Sequence, residues 1–412
     1  MTSASLNALN RNINLYRWSR FFRSLLFWQA IWFLYYQDVL SASEAIFLYA
    51  LTDITTTVLE VPSGYMSDRW GRRKTLIAGG IAGVFSAIFL VFGGTFVIFA
   101  LATMLFGAST AFSSGTDEAI LYESLAATGR ESEIEHQEIV AWRYSFTALA
   151  ISAVIGGALA MVHMKLAYVG VVFSFTALTW VTWLMVEPPR STQDKHAVEN
   201  LQWSHVLGNA RNPVLMWFFA LTVLLYAFSH LPFVFGQPFI LEALDGLGLA
   251  ASAPLVSGSI TAAMMAISVL VSLIAIRMRA AVGLVPLVLG AFALQIAISG
   301  TMAVTDSAIV LAALMLRMVP DALTRPFILA RIQPLLPNSN RATWLSLQSF
   351  VGRLLFALAL SIGAISTTDV GTMPYADIQR ILTVACIIGI TALAGLAITA
   401  RNVKIVTDDT NR

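Results

Sequence analysis

The chain has 412 residues, of which 58% are apolar and only 12% charged, with a formal net charge of +2. Soluble domains carry roughly 25% charged residues, so a string of soluble domains is excluded. A balance this near neutral gives no reason to expect nucleic acid as a partner, and the single Cys386 excludes both a disulfide framework and a thiolate metal site.

A helix that crosses the hydrocarbon core of a bilayer needs about 20 apolar residues. The sequence predicts twelve such helices, centred near Phe27, Thr55, Phe85, Leu105, Leu149, Phe175, Leu221, Met265, Phe292, Leu314, Leu355 and Ile390. Together they take up roughly 240 residues and leave no room for a soluble domain. The expected class is an all-α membrane protein, because every long apolar run exceeds strand length and is rich in Leu and Ala.

The opening segment, Met1–Ser19, is polar and lacks the apolar core of a cleavable signal peptide, so the first span is expected to be kept. That span places Trp28, Trp32 and Tyr35 on one helical stripe. Such a stripe can pack a drug-sized substrate or hold a cation face-on; the competing reading is an interfacial aromatic belt. In span two, Asp53 lies about 13 Å below the entry near Glu44, close to the middle of a roughly 30 Å core. Charge at that depth is costly and usually functional, which makes Asp53 a candidate for proton or substrate coupling, against a purely structural carboxylate.

Between spans two and three the chain reads Gly64-Tyr65-Met66-Ser67-Asp68-Arg69-Trp70-Gly71-Arg72-Arg73-Lys74. Gly64 is expected to allow close helix approach, Gly71 a tight turn, and Asp68 to stabilise a helix N-terminus. An ordinary basic loop explains the arginines, but not the whole pattern G-x-x-x-D-R-x-G-R-R at this place. With this loop the chain resembles the major facilitator superfamily. The resemblance implies twelve helices in two six-helix bundles and a secondary transporter that works by alternating access. It further implies a cytoplasmic latch in which Asp68, Arg69 and Arg72, with the neighbouring Arg73, meet an acid at the inner end of span four, for which Glu123 is the candidate. Two features of the family's proton-driven exporters are altered. Span four has Ala102-Thr103-Met104 ahead of Gly107 and no arginine, and span five keeps the small residues Ala148, Ser152, Ala153, Gly156 and Gly157 without the proline.

After span six a polar stretch, Glu187–Pro213, divides the chain six and six, giving bundles at 1–186 and 213–412 joined by a central loop at 187–212. In the second half His230 titrates near neutrality, although with Leu231-Pro232 after it the ring is equally suited to satisfying backbone at a kink. Arg317 lies about 15 Å deep in span ten and Arg353 about 18 Å deep in span eleven, both candidates for substrate or coupling. Arg317, Asp321 and Arg325 are spaced as a neutralising ladder along one helix face, and Arg143 is read as a gate residue. Spans three, six, nine and twelve carry no buried charge, matching the helices the family keeps at its periphery.

Lys and Arg crowd the segments that face one side, among them Arg11, Arg17, Arg20 and Arg23, and avoid the turns near Ser41, Gly94, Asp245 and Thr305. The positive-inside rule therefore puts both termini in the cytoplasm of a bacterial-type inner membrane. The leading expectation is proton-coupled efflux of small organic or drug-like molecules, by a chain functional as a monomer in the lipid bilayer. Uptake or exchange of an organic anion is the alternative. No H-E-x-x-H, G-x-S-x-G or phosphate-loop motif argues for an enzyme, no extramembrane segment is large enough for a receptor module, and neither cofactor nor metal is expected.

Overall fold

The computed structural model describes residues 3–130, 133–189, 208–332, 335–336, 341–365, 367 and 373–403. Most of the central loop, 190–207, thus lies outside the described residues. Within them helices form and no strand does. The order is α1 (Ser3–Ser24), a 3₁₀ turn (Phe27–Ala30), α2 (Trp32–Gln37), α3 (Ala42–Trp70), α4 (Arg72–Phe92), α5 (Phe96–Ser113), α6 (Thr116–Ala127), α7 (Ile134–Val162) and α8 (Met164–Leu184). Then come α9 (Pro213–Asp245), α10 (Ala253–Val282), α11 (Leu284–Val304), α12 (Val310–Leu314), α13 (Val319–Ile332), α14 (Arg341–Ile365) and α15 (Tyr375–Asn402).

Helix ends follow local chemistry. Ser41 and Glu44 form a reciprocal capping box at the start of α3, and Asn212 caps α9 ahead of Pro213 at its first position. Among the described residues, nine helices are long and apolar enough to cross a membrane unaided. The three remaining predicted spans are those with breaks or polar insertions. The first is interrupted between α1 and α2, the second carries Asp53, Glu60 and the Thr55–Thr57 run, and the tenth is a turn at 315–318 between α12 and α13. The all-α, multi-span fold class stands.

The chain forms two compact units. The first comprises residues 1–192, 251–262 and 369–372, and the second 193–250, 263–368 and 373–412. In the first, α4 packs on α5 and α8, α3 on α5, and α1 on α6, α7 and α8. Threonine and serine join helices there: Thr56 donates to the Gly107 carbonyl at 3.3 Å and Ser63 to that of Ala111 at 2.9 Å. The break in the first span sits against Gly156, where an added Cβ would run into the Phe27 carbonyl oxygen, so only glycine fits. In the second unit α11 packs on α13 and α15, and α9 on α11, α14 and α15. α15 turns Ile387, Ile388, Ile390 and Ile398 outward, an apolar exterior suited to lipid.

Candidate functional site

The glycine–arginine loop shapes the junction of α3 and α4. Gly71 has φ +114°, a conformation side chains resist, and the carboxylate of Glu187 fills the space its Cβ would need. That carboxylate accepts the backbone N–H groups of Arg72 at 2.6 Å and Arg73 at 2.9 Å, capping α4. Arg72 extends its Nε to Glu123 at 3.1 Å and an Nη to Ser67 at 2.9 Å. The expected pairing of Arg72 with Glu123 is therefore present, but other expectations need correction. Arg69 turns back one helical turn to the Tyr65 hydroxyl at 2.8 Å, and Arg73 donates to the Trp183 carbonyl. Gly64 allows no close approach, since an added Cβ would meet nothing within 4 Å. The Asp68 side chain lies outside the described residues.

The aromatic stripe belongs to the interior of the first unit. Trp32 and Tyr35 are both buried, and Tyr35 donates to the Leu90 carbonyl at 2.6 Å. Trp28 meets Phe106 edge to face, and Trp32 lies 5.3 Å from Tyr49. Trp28 and Trp32 line a cavity of about 60 Å³ together with residues of α3, α4, α5 and α8. Drug-sized ligands occupy roughly 300–1,000 Å³, so this cavity does not hold one. Asp53 is half-buried on α3.

A charged cluster that the sequence reading did not single out lies where α1 meets α6 and α7. Arg20 and Arg23 both donate to Oδ2 of Asp117, at 2.9 and 2.6 Å. Arg17 holds the Gln137 amide oxygen at 2.6 Å, Tyr16 donates to Glu138 at 2.8 Å, and the Arg20 guanidinium lies over the Trp142 ring. Asn12 ties α1 to Ser124 and to both backbone groups of Val186. The polar opening segment is thus not a tail with loop arginines; it is a helix whose polar face is paired inside a bundle. The signal was present: Arg17, Arg20 and Arg23 recur every third residue, as one face of a helix requires.

In the second unit three predicted residues come together. His230 on α9 stacks on Tyr226 at 4.1 Å, and its Nδ1 lies 2.7 Å from the Tyr226 carbonyl oxygen. Its ring feels the charges of both Arg317 and Arg353. Arg317 sits in the turn between α12 and α13, ahead of Pro320, its guanidinium over the Phe233 ring at 5.1 Å and its Nε 3.3 Å from the Met264 sulfur. It is therefore not on one continuous helix with Asp321 and Arg325, as the ladder assumed, although both arginines act electrostatically on Asp321. A helix broken at such a point frees backbone groups and lets a side chain enter the bundle. Arg353 is carried by α14, one turn from Phe356, which contacts the His230 ring at 5.5 Å. Arg143 is exposed. Among the described residues no three His, Cys, Asp or Glu side chains gather as metal ligands.

The family profile of the Major Facilitator Superfamily matches residues 15–360. No curated protein matches the sequence. Several solved structures share the fold at low identity. The nucleoside transporter NupG superposes with a TM-score of 0.70 at 13% identity, covering 95% of this chain and 98% of that one. A D-xylose-proton symporter gives 0.68 at 14%, covering 94% and 97%. The peptide transporter POT in complex with sulfate gives 0.67 at 13%, covering 97% and 95%.

Proposed function

Because the chain belongs to the major facilitator superfamily and is a membrane transporter rather than an enzyme, we propose that it carries a small organic acid together with protons by alternating access. The observation that carries this reading is the placement of Arg317 over Phe233, three residues beyond His230, and of Arg353 one turn from Phe356, which touches the His230 ring. Guanidinium forks match carboxylates in geometry and charge, and arginines set among apolar helices are costly unless they serve a purpose. The coupled proton needs an acid; Asp53 on α3 and Asp117 on α6 are the candidates in the first unit. The D-xylose-proton symporter of the same fold is, by its name, coupled to protons.

In this reading residues 1–186 and 213–412 are the two moving bundles, the segment 187–212 joins them in the cytoplasm, and both termini face inward across a bacterial-type inner membrane. The pair Arg72–Glu123 acts as the latch between successive states, and one chain suffices for transport. A second reading, proton-driven export of uncharged drug-like compounds, is favoured by the Phe233 ring and Met264 thioether against Arg317.

The test is transport in proteoliposomes under an imposed pH gradient of either direction, with labelled benzoate and its neutral analogue benzamide. Benzoate is expected to accumulate against its gradient, and the gradient that drives it reports the direction. Arg317→Gln and Arg353→Gln are expected to lose benzoate. Transport of benzamide with none of benzoate would overturn the organic-acid reading in favour of the second.

A further inference from the structure

Two guanidiniums share a single carboxylate oxygen in the first unit. Arg20 and Arg23 lie three residues apart on α1 and converge on Oδ2 of Asp117, whose side chain is only 4% exposed. The other oxygen, Oδ1, accepts the backbone N–H of Glu118 at 3.0 Å, in the first turn of α6 beyond the left-handed Gly115. Asp117 thus spends one oxygen on its own helix and gives the arginines the other. Each guanidinium presents five donors in a planar fork suited to both oxygens of a carboxylate. The mismatch leaves donors over: Arg23 Nε is buried without an acceptor, and the Thr116 hydroxyl beside Asp117, on a residue 2% exposed, is buried without a partner.

Charge decides when that spare capacity can be used. From α1 the groups facing Asp117 are Tyr16, Arg20 and Arg23, and from α7 Glu138, which holds the Tyr16 hydroxyl. α4 meets α6 further along, through Arg72 and Glu123. Around Asp117 itself, with Arg17 engaged by the Gln137 amide oxygen instead, Arg20 and Arg23 against Asp117 and Glu138 balance at two charges of each sign. A further carboxylate would leave a buried excess of negative charge, which is strongly unfavourable, unless one acid is neutralised.

We propose that Arg20 and Arg23 form a binding site for a carboxylate ligand inside the first unit, filled by Asp117 when no ligand is present and vacated when Asp117 takes up a proton. In the exchange a proton from solvent bonds to Oδ2 of Asp117. The two N–H groups that held that oxygen pass to the ligand's carboxylate, with Arg23 Nε available to its second oxygen. One proton and one carboxylate enter together and the net charge of the cluster is unchanged. Coupling is then a property of the site itself, and Asp117 rather than Asp53 carries the proton. The proposal rests on the preceding reading for the charge of the cargo, but it assigns residues in the other unit.

The experiment measures binding rather than transport. Benzoate, with benzamide as control, is titrated into the purified full-length protein at pH 5.5 and 7.5, and affinity is read from the shift in thermal melting. The wild type is expected to bind benzoate about a hundredfold more tightly at the lower pH, the change that uptake of one proton per ligand gives over two pH units. Asp117→Asn, neutral at every pH, is expected to bind equally at both values and at least as tightly as the wild type at pH 5.5. Arg23→Gln is expected to lose binding, and Arg23→Lys, which keeps the charge without the fork, to weaken it. The proposal is overturned if the pH dependence persists in Asp117→Asn, or if the Arg23 variants bind as the wild type does. Benzoate transport by the wild type in that case leaves the organic-acid reading intact, whereas benzoate neither bound nor transported removes both.

Discussion

Two glycines of one sequence motif should respond oppositely to the same substitution. Gly71 occupies φ +114° and ψ 148°, a region in which a side chain costs roughly 1–3 kcal/mol. Its added Cβ would also lie 2.8 Å from Oε1 of Glu187, and the flexible carboxylate would move away rather than the backbone. That movement gives up the cap on the Arg72 and Arg73 N–H groups, worth about 1 kcal/mol at a helix N-terminus. Gly71→Ala should therefore destabilise the first unit by about 2–4 kcal/mol in all. Gly64 lies inside α3 with nothing within 4 Å of an added Cβ. Gly64→Ala should stabilise by about 0.5–1 kcal/mol, because glycine loses more backbone freedom on entering a helix. Thermal melting of the detergent-solubilised protein separates them, at roughly 2–4 °C per kcal/mol for a unit of this size. Glu187→Ala should cost about 1 kcal/mol, and Gly71→Ala in that background should cost correspondingly less, because the cap is already gone. Equal melting of Gly71→Ala and wild type, or Gly64→Ala melting lower than Gly71→Ala, would refute the reasoning.

Glu123→Gln should slow transport while leaving expression and melting close to wild type, since the amide keeps the size of the side chain and an oxygen that can still accept from Arg72 Nε, 3.1 Å away, and loses only the charge; unimpaired transport by this variant rules out the latch. Outside the spans, Arg130 and then Gln137 hold the Glu133 carboxyl down to about 2, from an ordinary 4.5. A depressed carboxyl pKa makes this contact fully stabilising above 4.5 and lost as pH falls through 2. Carboxyl-carbon NMR should find the Glu133 midpoint near 2 in the wild type and back toward 4.5 in Arg130→Ala; an unmoved midpoint in the variant would show that the arginine is not the cause.

The parts of this protein legible in one dimension are those that depend on local composition. Long apolar runs can satisfy their backbone in lipid only as helices, so the all-α class and most span centres follow from hydropathy. The loop after α3 is legible too, because Gly71 answers a backbone demand that no other residue meets cheaply and the charged residues beside it cluster in sequence. Arg72 and Glu123 are 51 residues apart, and there only the family resemblance supplied the pairing.

What tertiary structure alone decided is which polar side chains meet. Hydropathy assigns Arg20 and Arg23 to a loop because each raises the cost of a span; packing of α1 against α6 and α7 removes that cost by supplying Asp117 from almost a hundred residues away. The stripe of Trp28, Trp32 and Tyr35 has the spacing of a ligand-lining face, yet the same spacing serves an interior, and the surrounding helices made it one. His230, Arg317 and Arg353 were each conspicuous as charges at depth, but nothing in their spacing says that they act on one another. Sequence determines that such residues must be compensated, since an isolated charge in an apolar medium is too costly to keep; only the packing of helices distant in sequence decides by what.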